Sequence, residues 1–198
     1  MSTRMLASAC IKPRSDSCAP WLALTLAALM GMPGCYRDQS ATPVPDFTLP
    51  QVGGGVFHLR SARSQPVLLA FLQTVPDTAD TPSRQQVGFL LSMNRQYSAR
   101  GLKVVIVDSS ALVTSLPPKR DALINASYDW HLDIPLLEDD DNHVARSWEV
   151  NQVPTLMLVA PDGSIAQRWH GLTGPAVLAQ GIQKVCAARS GHSAALAP

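Results

Sequence analysis

Cysteine is scarce in this chain, and it is missing from the places where it would do chemistry. Four occur in 198 residues: Cys10, Cys18, Cys35 and Cys186. None forms Cys-x-x-Cys or a zinc-like cluster, so the sequence encodes neither a local dithiol nor a structural zinc site. The histidines His58, His131, His143, His170 and His192 are scattered, with no two at metal-ligand spacing. No metal and no cofactor is expected. Aromatic residues make up only 6%, and Trp130, Trp148 and Trp169 read as core or edge aromatics rather than a ligand box. The formal charge is +1, with no basic stripe; nothing points to nucleic acid, and no basic amphipathic helix points to membrane-surface binding. No apolar run reaches the roughly 20 residues of a membrane-spanning helix.

The N-terminus accounts for three of the four cysteines. Arg4, Lys12 and Arg14 precede the apolar run Trp21–Met32, which is too short to span a bilayer but has the form of a signal-peptide core. The run ends in Met32-Pro33-Gly34-Cys35. That ending resembles a bacterial lipobox, in which the cysteine is lipidated and becomes the new N-terminus. Residues 1–34 are therefore expected to be a signal peptide and Cys35 the lipidated residue of an exported protein held at a membrane. The mature chain would then keep Cys35 and Cys186 alone, which leaves no intramolecular disulfide. Its charge would shift from +1 to −1, since three basic residues and Asp16 are removed. Residues 35–45, polar and proline-bearing, read as a tether. Residues 46–189 read as one domain of ordinary size, and residues 190–198 as a disordered tail.

Within the domain, Phe47–Leu49 and Val56–Leu59 flank Gly53-Gly54-Gly55, the pattern of a hairpin. Val67–Leu72 is continuously apolar, as in a strand buried on both faces. Thr81-Pro82 reads as an N-cap followed by proline at the first helical position, and Gly101 as the residue that ends that helix. Leu102–Asp108 is a second core strand and Pro118–Tyr128 a helix. Pro135–Leu137 is a short strand, and Asp141 is expected to cap a helix through Trp148. Thr155–Ala160 is a third core strand, turned by Pro161–Ser164 into Ile165–Trp169. Pro175–Ala188 closes the domain, with Leu178, Ile182 and Val185 on one stripe. Strands alternating with helices, then a hairpin and a helix, define an α/β three-layer sandwich with a mixed central sheet and an added N-terminal hairpin.

The segment from Trp148 through Val153-Pro154-Thr155 to Asp162-Gly163 resembles the Y-x-V-x-x-V-P-T-x-x-L-I-D-x-D-G signature of TlpA-like and redoxin members of the thioredoxin superfamily. Pro45-Asp46-Phe47-Thr48-Leu49 resembles the entry motif of the same families. The resemblance covers most of Pro45–Ala188. It implies a thioredoxin-like fold, with Pro154 a cis-proline facing the active-site helix. It also implies thiol–disulfide or peroxide chemistry at the junction of the first core strand and first helix, where a helix N-terminus favours a thiolate.

That junction is where the chain departs from its relatives. In the TlpA-like register the two cysteines fall on Pro76 and Ala79. In the copper-delivering Sco-like register they fall on Asp77 and Thr81, and Gln152 occupies the place of the metal-binding histidine. In the peroxiredoxin register the peroxidatic cysteine falls on Ser83. A hydroxyl does not substitute, because disulfide and sulfenate chemistry requires sulfur. Asp77, Asp80 and Thr81 are candidates for a small binding site beside Pro154, or for helix capping alone. Asp139-Asp140-Asp141-Asn142 has hard-cation ligands but lacks the glycine and distant glutamate of a calcium loop, and reads first as a capping loop. Cys186 is placed to face the core. The expectation is a module that binds an envelope protein or peptide between Val75–Thr81 and Val153-Pro154-Thr155, by strand-like pairing. A thiol–disulfide or peroxide oxidoreductase is the alternative.

Overall fold

The computed structural model describes residues 44–76 and 80–194, with side chains through Ala187. The signal peptide, Cys35 and most of the tether lie outside the described residues, as do Asp77 and Ala79 at the junction.

The fold is built on one strand. β3 (Val67–Leu72) is fully buried along its whole length, as its unbroken apolar run requires. It pairs in parallel with β4 (Lys103–Asp108) and antiparallel with β6 (Thr155–Val159). β5 (Leu136–Leu137) adds to β4 and β7 (Ile165–His170) to β6, giving the order β5-β4-β3-β6-β7. Mixed pairing of this kind, with helices on both faces, is the expected three-layer sandwich.

Alternate residues of the strands feed two cores. On one face Leu68, Ala70 and Leu72 pack with Leu90 of α1 (Pro82–Tyr97), Leu123 of α3 (Arg120–Asp129), and Leu178 and Ile182 of α5 (Pro175–Ala194). On the other, Leu69 and Phe71 pack with Val144 of α4 (His143–Ser147), Trp148, Phe47 and Phe57. Phe47 meets Trp148 edge-on at 5.8 Å between ring centroids.

The hairpin of β1 (Thr48–Pro50) and β2 (Val56–His58) shields one edge of the sheet. Val52 N–H donates to Leu136 C=O, and Glu138 N–H donates to Pro50 C=O. Arg120 secures this joint: it pairs with the buried Glu138 carboxylate and donates to the carbonyls of Gln51 and Val52. A sheet edge closed this way offers no template for unwanted pairing.

Several details correct the sequence reading. Val44, placed in the tether by its composition, is 7% exposed, and its N–H donates to Gly163 C=O; the packed domain starts before Asp46. α5 continues to Ala194. A short helix, α2 (Ala111–Thr114), follows β4. α3 starts at Arg120, because the Pro117-Pro118 pair holds the backbone extended ahead of it. The residue that anchors α4 is Asp139 rather than Asp141. Asp139 is buried, and its two carboxylate oxygens accept the N–H groups of Val144 and Ala145. Asp141 is exposed and accepts only from His143.

Candidate functional site

The C-terminal ends of β3 and β4 and the N-terminal end of β6 lie at one end of the sheet, as their pairing dictates. The β3–α1 junction runs across that end. Thr81 caps α1 by accepting from Arg84 N–H at 3.2 Å, with Pro82 at the first helical position as the sequence indicated. Gln73 N–H donates to Ser83 Oγ at 3.0 Å, and Ser83 is 2% exposed. The hydroxyl in the peroxiredoxin register therefore closes the strand-to-helix turn. Val75 is half-buried against the core, while Pro76 and Asp80 are exposed.

Across the sheet, Val153 is half-buried and Pro154 and Thr155 are buried. The Val75–Pro76 and Val153–Pro154 peptide bonds are both cis. Thr155 Oγ1 donates to Gln152 C=O at 2.8 Å, and Gly171 N–H donates to Pro154 C=O at 2.8 Å. Gln152 itself is exposed.

Two polar systems that sequence reasoning missed hold these walls. The first is Asp108 with Ser110. Ser110 Oγ accepts from the N–H groups of both Thr74 and Val75 at 2.9 Å, and donates to Asp108 Oδ1 at 2.6 Å. Thr74 Oγ1 donates to the same carboxylate oxygen. Burial pushes the Asp108 carboxyl above its ordinary 3.8, while hydrogen bonds from Ser110 and Thr74 pull it back. The second is Gln86, fully buried on α1, whose amide donates to Thr173 C=O at 3.1 Å and accepts from Thr173 N–H at 2.7 Å. That pair ties α1 to the loop after β7, two residues beyond the Gly171 that supports Pro154. Hydroxyls after a strand and a glutamine on an inward helix position were the only sequence signals for either.

The remaining candidates sit elsewhere. Asp139, Asp141 and His143 bring ligand atoms within 4.8 Å of one another, but Asp139 is engaged by the start of α4. Trp130, Trp148 and Trp169 are all buried. Cys186 is half-buried against the helical core. Gln183, one turn before it, donates to Tyr97 Oη at the far end of α1. The 16 residues of α1 separate that point from Thr81, which is about 24 Å at 1.5 Å per residue. A cleft of about 190 Å³ among Val44, Pro45, Trp148, Glu149, Ile165 and Arg168 lies on the opposite face from α1.

Between the cis-proline wall and the β3–α1 turn the described residues offer hydroxyls, a carboxylate and backbone groups, and no sulfur. The architecture is that of a thioredoxin-fold protein. A putative thiol:disulfide interchange protein DsbE from Chlorobium tepidum superposes with a TM-score of 0.63 at 23% identity, over 74% of this chain and 96% of that one. A secreted disulfide oxidoreductase of Mycobacterium tuberculosis gives 0.58 at 14% identity, over 70% and 95%. The chain belongs to the AhpC/TSA family, whose pattern matches residues 41–168. Thiol-disulfide oxidoreductase ResA of Bacillus subtilis is 20% identical over 123 residues, and this chain spans 63% of its length. No helix among the described residues is long and apolar enough to cross a membrane.

Proposed function

We propose that this protein is a membrane-tethered, non-catalytic member of its family that binds an extended peptide or protein segment in the cell envelope. The observation that carries the reading is the pairing of a complete thioredoxin-type frame with a sequence that has no cysteine between Cys35 and Cys186. The peptide would lie between Val75–Thr81 and Val153-Pro154-Thr155 and pair with backbone ahead of Pro154, a form of strand addition that needs no thiol. Exposed Val113, Leu116 and Leu172 follow the ends of β4 and β7 at this same end of the sheet, and would receive apolar side chains of the partner. Backbone hydrogen bonds of about 1 kcal/mol each net give modest affinity once ordering costs are counted. A lipid on Cys35 would offset this by concentrating the domain at the membrane.

Pull-down from a membrane extract tests the reading. Wild type should recover a partner that Val75→Arg recovers poorly, with the fold intact by circular dichroism. Equal recovery by both proteins rules out this groove as the binding surface.

The second reading, an oxidoreductase, draws on the thiol–disulfide chemistry of the proteins this chain resembles. It needs a sulfur at the junction. Cys186 lies one turn after Gln183, which bonds Tyr97 at the opposite end of α1, so within this fold the sulfur would have to come from a partner.

A further inference from the structure

We infer that Asp108 is a positioning residue for the vacated site: acting through Ser110, its ionised carboxylate fixes the backbone at Thr74 and Val75, and its protonation loosens that wall. The inference deepens the peptide-binding reading, since the wall it controls is the one a bound peptide would meet, but the backbone response needs no peptide.

The geometry gives each proton one place to go. Ser110 spends its single hydroxyl proton on Asp108 Oδ1, so its oxygen lone pairs face the N–H groups of Thr74 and Val75. Thr74 likewise spends its hydroxyl proton on Asp108. The N–H groups of Thr74 and Ser110 add longer contacts of 3.4 and 3.3 Å to the same oxygen. An ionised carboxylate accepts all of these well, because charge-assisted hydrogen bonds are roughly twice as strong as neutral ones. A neutral carboxyl accepts more weakly and adds a donor to a cluster already rich in donors. The Ser110 hydroxyl is then no longer held in the orientation that presents its lone pairs to the loop.

The site is sealed and without counter-charge. Asp108, Ser109 and Ser110 are at most 2% exposed. β3 brings only apolar side chains and α2 carries no charged residue. Beyond Lys103, β4 is apolar up to Asp108. On β5 the next position in register is Glu138, whose carboxylate is taken by Arg120. β6 contributes no ionisable side chain. Burial is the largest influence on the Asp108 carboxyl and raises it from 3.8, with no contribution from another charge. Its titration therefore falls above the ordinary 3.8 of an aspartate.

The test is amide hydrogen exchange by NMR on the full chain, with protection at Thr74 and Val75 referenced to Val105 in the core of β4. In wild type, both amides should lose roughly tenfold in relative protection between about pH 7 and the low end of the aspartate range, the scale of one weakened hydrogen bond. In Asp108→Asn the relative protection should not change with pH. If the asparagine variant does not fold, Ser110→Ala should show low protection at both pH values and no step. Wild-type protection that is flat with pH, or an undiminished step in either folded variant, overturns the inference. A step in wild type that vanishes in the variants, together with a negative pull-down, would leave the positioning role standing and remove the peptide reading.

Discussion

Gln86 and Thr173 stand 87 positions apart and exchange two hydrogen bonds, at 2.7 and 3.1 Å, through side-chain amide and backbone. The link joins the helix that begins at the β3–α1 junction to the loop that supports the Pro154 wall. Gln86→Leu keeps comparable bulk and leaves the buried Thr173 N–H and C=O unpaired, each at a cost of about 1–3 kcal/mol. Denaturant unfolding should show a loss of at least about 2 kcal/mol, and amide exchange should show the Gly171–Thr173 loop loosened before the core.

Two helical glycines should respond to alanine with opposite signs. A Cβ on Gly181 would lie 2.7 Å from Trp169 Cζ2 and 2.8 Å from Gln167 Oε1, closer than real contacts allow. Overpacking of that kind costs about 1–3 kcal/mol, more than the helix gains from alanine. A Cβ on Gly88 would meet nothing within 4 Å, so Gly88→Ala should gain about 0.5–1 kcal/mol from propensity. Thermal melts of the two variants, falling for Gly181→Ala and rising for Gly88→Ala, check both.

Much of this fold was legible because local signals agreed with the global frame. The unbroken run at β3, the Thr81-Pro82 start of α1, the glycine at position 101 and the Val153-Pro154-Thr155 entry to β6 each mark an element. The candidate site could be proposed from the sequence as a place, but what supports its walls could not. Ser110 holds Thr74 and Val75 from 35 or more positions away, and no periodicity encodes a contact of that range. Gln86 reads as a polar break in a helical stripe until its partner is known. Asp139 and Asp141 look equivalent on paper; burial of one and exposure of the other decides which anchors α4.

The N-terminal segment makes a chemical prediction of its own. A basic start, an apolar run too short to span and a cysteine at its end should direct lipid attachment to Cys35. Metabolic labelling with a palmitate analogue should mark the wild type and leave Cys35→Ser unmarked. Equal labelling of both would reject the tether.

Acid stability should carry the signature of a buried carboxylate at α4. Burial raises the Asp139 carboxyl above 3.8, ahead of the lowering hydrogen bonds from Ala145 and Val144. The folded state thus holds this proton more tightly than the unfolded chain. The contribution is fully present below the ordinary value and is lost as pH rises through the raised one. Asp162 works the other way: Ser164 lowers it, so its contribution is lost as pH falls. The whole-protein curve mixes the two signs, and the difference between wild type and Asp139→Asn isolates one. That difference should move against wild type as pH climbs from below 3.8; a shift in the opposite direction in urea titrations would refute the assignment.

The isolated chain should not turn over thiol or peroxide substrates. Every register of the β3–α1 junction places a residue other than cysteine at the helix start, whether Pro76, Asp77, Ala79, Thr81 or Ser83. Ser83 Oγ is already committed to Gln73 N–H, and Cys186 stands by the far end of α1. Insulin reduction and peroxide consumption should both match a no-protein blank. Turnover that disappears in Cys186→Ser would mean that α5 delivers its thiol across the length of α1, and would replace the binding role with an enzymatic one. Turnover restored by Pro76→Cys with Ala79→Cys, in a protein otherwise inert, would show instead that the frame retains its capacity for thiol chemistry and that only the sulfur is missing.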